Sequence, residues 1–265
     1  MRKLVLCVLG MMIVVILLSC SATDKLHKDK IPPLKPILIP HLGMVGDLVD
    51  DIELTDDNNG TDATSDGDRI RLMWSWQEPM DRDLHIVRIF RFDTNKDGLP
   101  VEIGNTSWRN NSFIDPMNPN VSGFAARDVE WSYFIRAVDQ AGNFTDSDTV
   151  RFMLVDKPIL TNPLFETIKR SELRDIANAF RWRRPSSVLY SRFRVLIFES
   201  GTNRVVWKSD ELNITEEIDY QRLYNGDLLP VGEYYWRVDA RGLMDSEGYY
   251  NSGSKSNTWS FRIIE

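Results

Sequence analysis

The residues best suited to chemistry follow a predicted strand: Asp93, Asn95 and Asp97, with Gly98 after them. Side-chain oxygens at alternating positions before a turn glycine open the calcium loop of an EF-hand. The closing bidentate acid is missing, because position twelve of such a loop is Gly104. The pattern predicts either a structural calcium site at Asp93, Asn95 and Asp97 or a simple turn between strands, in which Asp and Asn bind their own backbone. No other cofactor is expected.

The rest of the sequence lacks the groups that common catalytic mechanisms use. His27, His41 and His85 are the only histidines, and no cysteine follows Cys20. Neither a serine elbow between glycines nor a His-Glu-x-x-His motif occurs. Pairs of carboxylates do occur, but an acid-rich chain brings such pairs together by chance. We therefore predict that the protein is not an enzyme.

The N-terminus has the order of a secretory signal, with two basic residues, an apolar run from Leu4 to Leu18, and then Ser19 and Cys20. The run is shorter than the roughly 20 residues that a membrane-spanning helix needs. The four residues that end at Cys20 resemble the lipobox of bacterial lipoproteins. The resemblance implies cleavage after Ser19 and acylation of Cys20, so that the membrane becomes a partner. An uncleaved signal anchor is the alternative.

The same resemblance bears on location, because position 21 is Ser and not Asp. It implies a lipid-anchored protein of the bacterial cell envelope and favours the outer membrane in a cell with two membranes. Prolines at 32, 33, 36 and 40 favour an extended spacer after the anchor. The predicted organisation is a lipoprotein signal peptide at 1–19, a lipid-anchored tether at 20–35, a first domain at 36–157 and a second domain at 158–265.

The negative charge is concentrated in one segment. Between Gly46 and Asp68 there are nine acidic residues and no basic one. Its centre is rich in Asp, Asn, Gly and Thr, which predicts a solvated loop. Loose calcium binding and repulsion of acidic polymers are the alternatives. Binding to nucleic acid is disfavoured, because phosphate contacts need clustered Lys and Arg.

The remaining chain repeats one pattern of short strands twice. Trp76 and Pro79 have the same spacing as Trp182 and Pro185. Later in each copy comes a strand with alternating large residues, which are Trp131, Tyr133, Ile135 and Ala137 in the first copy and Tyr234, Trp236, Val238 and Ala240 in the second. Both copies resemble fibronectin type III modules. The resemblance implies an all-β protein of two tandem immunoglobulin-like β-sandwiches. It also implies a tyrosine corner at Tyr234, whereas Trp131 occupies that position in the first copy.

Candidate ligand residues are aromatic and lie in predicted loops. Trp108, Tyr249 and Tyr250 could form a ligand surface, since loop Trp and Tyr often serve recognition. Arginines at 181, 183, 184, 192 and 194 suggest a basic stripe. Pairing with acids of the same domain is the favoured interpretation of the stripe, and a second ligand surface is the alternative.

These observations predict a membrane-anchored, non-catalytic binding or scaffolding lipoprotein that presents two sandwich modules to a protein or glycan of unknown identity. One alternative is a spacer of an envelope assembly that binds no ligand. Another is an accessory to a carbohydrate-processing system. Clustered exposed aromatic residues would favour binding, and a uniformly charged surface would favour spacing.

Overall fold

The computed structural model describes residues 29–77, 83–95, 98–115, 129–164, 166–184, 192–213 and 217–265. Regular structure in these ranges is almost entirely β. The strands in chain order are β1 (Ile37–Leu38), β2 (Leu48–Val49), β3 (Ile52–Glu53), β4 (Asp62–Ala63), β5 (Ile70–Ser75), β6 (Leu84–Asp93), β7 (Val101–Ser107), β8 (Ser112–Ile114), β9 (Glu130–Asp139), β10 (Phe144–Asp146), β11 (Val150–Leu154), β12 (Ile159–Asn162), β13 (Thr167–Lys169), β14 (Phe180–Arg183), β15 (Arg192–Glu199), β16 (Val205–Lys208), β17 (Leu212–Asn213), β18 (Asp219–Arg222), β19 (Gly232–Arg241), β20 (Ser252–Lys255) and β21 (Trp259–Ile264).

The second half of the chain forms a two-layer sandwich. One sheet has the order β12-β14-β18. The facing sheet has β19 between β21 and β15, and β16 continues it beyond β15. This strand order is that of an immunoglobulin-like sandwich. At the start of β19, Tyr234 Oη donates a hydrogen bond of 2.9 Å to Pro230 O, which is the tyrosine corner expected there.

The first half repeats this arrangement. One sheet is centred on β5, which pairs with β1 and β4 along one edge and with β8 along the other. The facing sheet has the order β11-β9-β6-β7. The prediction of an all-β chain with immunoglobulin-like sandwiches is therefore confirmed. The first sandwich has Trp131 at the position of the tyrosine corner. Nearby on β9, Tyr133 Oη donates a hydrogen bond of 2.9 Å to Asp115 Oδ2.

Each sandwich has its own apolar core, because alternate residues of a strand point to the same face. Ile70, Leu72 and Trp74 point inward from β5, and Phe180 and Trp182 do so from β14. The first core also contains Val87, Ile89, Ile135 and Phe152. The second core also contains Phe193, Val195, Trp236, Val238 and Phe261. The predicted alternation in both copies is thus the alternation of core and surface.

The two sandwiches share a continuous sheet. Met153 and Leu154 of β11 pair in parallel with Ser252 and Gly253 of β20, which joins the larger sheets of both halves into one of twelve strands. Val155 N then donates to Gly253 O at 3.2 Å. The chain therefore passes from the first sandwich to the second through paired backbone.

The acidic segment belongs to a long excursion from the edge of the first sandwich. β1 and β4 lie along the same edge of β5, and residues 40–61, called the insert below, leave and rejoin that edge between them. Thr61 N donates to Ile39 O at 3.0 Å and closes the base. Gly60 has φ +80°, and a Cβ there would lie 2.0 Å from Pro40 O, so the closure requires glycine.

The prediction of a solvated loop at the centre of the acidic segment, 56–68, is wrong for residues 59–64, which are buried. Val45 and Leu54 of the insert are buried as well, whereas Asp66 and Gly67 are exposed. The reason is that the second sandwich supplies cations that this segment lacks, and these cations pair with Asp47, Glu53, Asp56 and Asp62.

The end of the predicted tether lies against the first sandwich. Pro33 and Pro36 are buried, and Thr145 Oγ1 donates a hydrogen bond of 2.6 Å to Pro33 O. Lys35 Nζ lies 2.6 Å from Asp148 Oδ1. Within the described ranges, no helix has the length and apolarity needed to cross a membrane.

Candidate functional site

The insert is held on the second sandwich by buried ion pairs. Asp47 accepts from Arg194 at 2.7 Å and from Arg241 at 3.1 Å. Both arginines project from the outer face of the larger sheet, on β15 and β19. Arg194 also donates to Val45 O at 2.9 Å. Glu211, which lies 2.5 Å from Arg241, supplies a second carboxylate to the same pair of cations.

A second group of ion pairs is centred on Asp56. Its carboxylate accepts two hydrogen bonds from Arg237, at 2.7 and 2.9 Å, and one from Lys255 Nζ at 2.6 Å. Arg237 is also held by Asp239 at 2.7 and 3.0 Å, and Lys255 lies 2.8 Å from Asp62. Buried charges are costly unless they are paired, and here every cation faces two carboxylates.

These surroundings set the protonation of the acids. Burial opposes the charge on Asp56, but Arg237 and Lys255 outweigh it and hold the pKa of Asp56 well below its usual range. Burial raises the pKa of Asp239, which Arg237 only partly offsets. Arg237 is thus bound on one side by a carboxylate that stays ionised at all ordinary pH values.

His41 marks the place where the insert leaves the first sandwich. Burial lowers its pKa; Asp62 opposes that effect, while Lys255 and Arg241 add to it. Its ring packs edge-on against Phe152 and Tyr250, with centroids 5.5 and 5.7 Å away. Nδ1 has no hydrogen-bond partner among the described residues and lies 3.8 Å from Asp62. We infer a neutral imidazole at this position.

Beside the ion pairs runs a groove of about 680 Å³ between the insert and the outer face of β15 and β19. Its apolar surface comes from Leu54 of the insert and from Phe198 and Tyr235 of the second sandwich. The rings of Phe198 and Tyr235 are stacked, with centroids 4.8 Å apart. Ligand pockets commonly have volumes of about 300 to 1,000 Å³ and an apolar floor with a few polar groups.

The polar rim of the groove comes from all three parts of the fold. Arg71 of the first sandwich donates to Asp56 O at 2.7 Å and lies 3.4 Å from Asp57 of the insert. Tyr235 Oη donates to Asn203 Oδ1 at 3.1 Å, in the turn between β15 and β16. The groove therefore exists only while the insert, the first sandwich and the second sandwich stay together.

The described lining of the groove contains the carboxylates of Glu53, Asp56 and Asp57 and neither histidine nor cysteine. A general acid needs a pKa near the working pH, whereas the cations keep Asp56 ionised far below it. What the groove offers is a stacked aromatic surface with hydroxyl, amide and paired ionic groups at its edge.

The residues predicted for calcium are only partly described. Asp93 ends β6, and its Oδ1 accepts a hydrogen bond of 3.0 Å from Asn95 N. This local bond is the turn that the alternative interpretation expected. Asp97 and the lipid-attachment residue Cys20 lie outside the described residues. The calcium site and the anchor therefore stay predictions.

The candidate aromatic residues belong to different environments. Trp108 is half-buried against the first core, with the Arg109 guanidinium 5.0 Å from its ring centroid. Tyr249 N donates to Asp245 Oδ1 at 2.9 Å in the loop before β20. Tyr250 packs at the junction, where Arg241 lies 4.3 Å above its ring. These contacts place Trp108 against the first core and Tyr250 beside the insert.

A separate acidic cluster joins the tether to one end of the first sandwich. Carboxylate oxygens of Asp29, Asp83 and Asp139 lie within 4.8 Å of one another. Burial, followed by the charges of Asp139 and Asp29, raises the pKa of Asp83. Asp139 is buried and already accepts hydrogen bonds of 2.8 and 2.7 Å from Asn143.

The basic stripe is mostly neutralised within its own domain, as favoured from the sequence. Arg183 lies 3.1 Å from Asp219, and Arg192 contacts Glu211. Arg194 is different, because it is also paired with Asp47 of the insert. One sequence signal could have indicated the pairing of Arg194 with the insert. Strands β15 and β19 carry charge at alternate positions, and the acidic segment elsewhere in the chain has no basic residue of its own.

Comparison with known proteins gives no family. No protein-family model and no curated protein matches the chain. Among solved structures it is similar to pectate lyase PelI from Erwinia chrysanthemi, with 15% identity over 42% of this chain and 30% of that chain and a TM-score of 0.26. It thus spans less than a third of that enzyme.

Two further similarities are to fibronectin-type modules. The chicken CNTN1 FN1-FN3 domains share 13% identity over 88% of this chain and 66% of theirs, with a TM-score of 0.27. The fibronectin(III)-like modules of Clostridium thermocellum CbhA share 14% identity over 79% of this chain and 91% of theirs, with a TM-score of 0.26. With such scores, the fold assignment rests on the strand order described above.

Proposed function

We propose that the chain is a lipid-anchored, non-catalytic binding protein of the bacterial cell envelope, which presents a preformed groove between its insert and its second sandwich. The ligand is a protein or glycan of the envelope or its surroundings, and nucleic acid is not a partner. The observation that carries the proposal is the groove of about 680 Å³ with the Phe198–Tyr235 stack in its wall.

Three features support binding at this place. The walls come from segments far apart in sequence, and the buried pairs of Asp47 and Asp56 hold those segments together. A preformed site loses less conformational freedom when a ligand binds. The Tyr235 ring is half-buried and rests on the buried Phe198 ring, so it offers an aromatic surface that suits a sugar ring or a flat side chain. Its hydroxyl and Asn203 supply hydrogen-bonding groups beside it.

The test of binding is a glycan array and an envelope-peptide array probed with the full chain. Tyr235→Ala should abolish a specific signal, and Tyr235→Phe should retain most of it because the ring stays stacked on Phe198. Phe144→Ala, an exposed ring on the first sandwich, is the matched control and should bind like the parent. Specific binding that survives Tyr235→Ala would contradict the groove as the binding site.

The anchor is tested separately. Metabolic labelling with a lipid precursor should modify the parent and not Cys20→Ala, and the variant should leave the membrane fraction. Protease added to intact cells, with a periplasmic protein as control, then distinguishes a surface location from a periplasmic one. Failure of the labelling would refute the anchor and would leave the groove untouched.

The spacer function remains the second candidate, because one specific observation favours it. The parallel pairing of β11 with β20 and the contact of Pro33 with Thr145 fix the path of the chain from the tether to the second sandwich. A spacer needs this fixed path and no groove. It predicts that an envelope phenotype survives Tyr235→Ala and is lost when the path is broken at Gly253, where Ala240 O leaves little room for a side chain.

A further inference from the structure

His41 is a buried titratable residue in the base of the insert that has no part in the groove. Its ring nitrogen Nδ1 has no hydrogen-bond partner among the described residues. Its backbone O accepts a hydrogen bond of 3.1 Å from Tyr250 N, in the loop before β20. Phe152 of β11 covers another side of the ring, with centroids 5.5 Å apart. The residue therefore joins the insert to both sandwiches.

The charges around His41 favour a neutral ring while the insert is docked. The titratable groups that face it are Asp47 of the insert, Asp62 of β4, Arg241 of β19, Tyr250 of the following loop and Lys255 of β20. Burial lowers the pKa of His41; Asp62 opposes that effect, while Lys255 and Arg241 add to it. An imidazolium at this position would be a buried cation beside two others, which is unfavourable.

The carboxylate closest to the ring is already engaged. Asp62 Oδ2 lies 2.8 Å from Lys255 Nζ and accepts a hydrogen bond of 2.5 Å from Asn59 Nδ2. Its Oδ1, which lies 3.8 Å from His41 Nδ1, accepts a hydrogen bond of 2.7 Å from Ala63 N. A protonated His41 would therefore compete with Lys255 for Asp62.

The two cations beside His41 also hold the insert on the second sandwich. Lys255 Nζ lies 2.6 Å from Asp56, and Arg241 lies 3.1 Å from Asp47. A positive charge on His41 repels both of these cations. It therefore weakens the two groups of ion pairs that attach the insert, although His41 belongs to neither.

We propose that His41 acts as an acid-sensitive switch: when its ring takes up a proton, the insert leaves the second sandwich and the groove loses one wall. The released form binds the proton more strongly, because its imidazole is in water and away from the two cations. Acidification therefore favours release, and docking is strongest at neutral pH. By linkage, acidification also lowers the affinity of the groove for its ligand. Only this last step rests on the proposed function.

The test needs no ligand. Hydrogen exchange of the full-length protein in detergent is followed by mass spectrometry at about pH 7.5 and about pH 5, with correction for the effect of pH on the exchange chemistry. In the parent, exchange of residues 41–56 and of the Tyr250 amide should rise several-fold at the lower pH. Strands β14 and β18, in the opposite sheet, should keep their protection, which distinguishes release of the insert from unfolding.

Two variants identify the group that titrates. His41→Gln stays neutral and should hold exchange of the insert at its neutral-pH level in both conditions. Asp57→Asn removes a 93% exposed carboxylate of the same insert and, as the matched control, should respond like the parent. An insert that does not respond to pH in the parent, or that responds equally in His41→Gln, would overturn the proposal.

A direct titration covers the case in which His41→Gln disturbs the docked structure. The NMR signals of the His41 ring, in protein with isotope-labelled histidine, should titrate over the pH range in which the insert of the parent is released. Release at a pH where the ring does not change its protonation would overturn the proposal. Failure of the groove to bind any glycan or peptide would refute the proposed function and leave this result unaffected.

Discussion

Removing the carboxylate of Asp56 should cost far more stability than removing its neighbour. Asp56→Asn takes away the ionised acceptor of Arg237 and Lys255, whereas Asp57→Asn removes a side chain that is 93% exposed and lies 3.4 Å from Arg71. Both changes keep size and hydrogen-bonding atoms nearly constant. The comparison therefore isolates the buried ion pair from the charge of the segment.

The magnitude follows from what remains after the change. Breaking a buried ion pair on one side costs about 3 to 5 kcal/mol. The Asp56 side chain is 33% exposed, and Arg237 and Lys255 each keep another carboxylate, Asp239 and Asp62 respectively. We therefore expect Asp56→Asn to lower the free energy of unfolding by about 2 to 3 kcal/mol, while Asp57→Asn stays within about 0.5 kcal/mol of the parent.

The assay is urea unfolding followed by tryptophan fluorescence, combined with hydrogen exchange of the backbone amides. Exchange should rise first in the insert, because its attachment to the second sandwich is what the variant weakens. Equal and small losses for both variants would refute the claim that Asp56 holds the insert. So would protection of the insert that does not change.

Three further predictions concern single groups. Burial lowers the pKa of His41, so its neutral form contributes stability that is fully present above about pH 6.5 and is lost as the pH falls through the lowered folded-state pKa. His41→Gln should therefore weaken the decline in the free energy of unfolding between about pH 7 and about pH 5, and an unchanged decline would contradict a buried neutral imidazole. Tyr234→Phe removes the hydrogen bond to Pro230 O and should cost about 1 kcal/mol by urea unfolding, and a neutral result would contradict a structural role for this corner. Trp182→Ala should cost about 3 to 5 kcal/mol and expose the second core, which binding of a hydrophobic dye would report, and a loss below about 1 kcal/mol would contradict the burial of this ring.

The sequence predicts the cores better than the contacts between them. Trp74, Trp182 and the alternating residues of β9 and β19 are local signals, because the period of a strand decides which side chains point inward. The sandwiches and the corner at Tyr234 are implied by the resemblance of these strands to fibronectin type III modules. Trp76, whose spacing to Pro79 matches that of Trp182 to Pro185, is only partly buried and packs at the edge of the first core. Trp74 lies inside that core.

The insert and the groove could not be predicted in this way. Arg237 is separated from Asp56 by 181 positions, and the residues around each of them in the sequence do not indicate that the two are paired. A run of acids with Asn and Gly has the same composition whether it is solvated or docked. Whether the segment is docked depends on cations at alternate positions of distant strands. The strand period identifies those cations as surface residues but does not show what they contact.

The charged nature of this junction has a consequence for how the protein assembles. A junction of apolar residues would leave an aggregation-prone face on either sandwich whenever the two separate. Here separation would expose charged side chains on both surfaces: Asp47, Asp56, Arg194 and Arg237. Desolvation offsets most of the attraction in a buried ion pair, whereas a placement that leaves one partner buried and unpaired is costly. The insert therefore selects one relative placement of its segments without making either sandwich depend on it for a core. The walls of the groove come from the segments that these pairs hold together, so the shape of the groove depends on that placement.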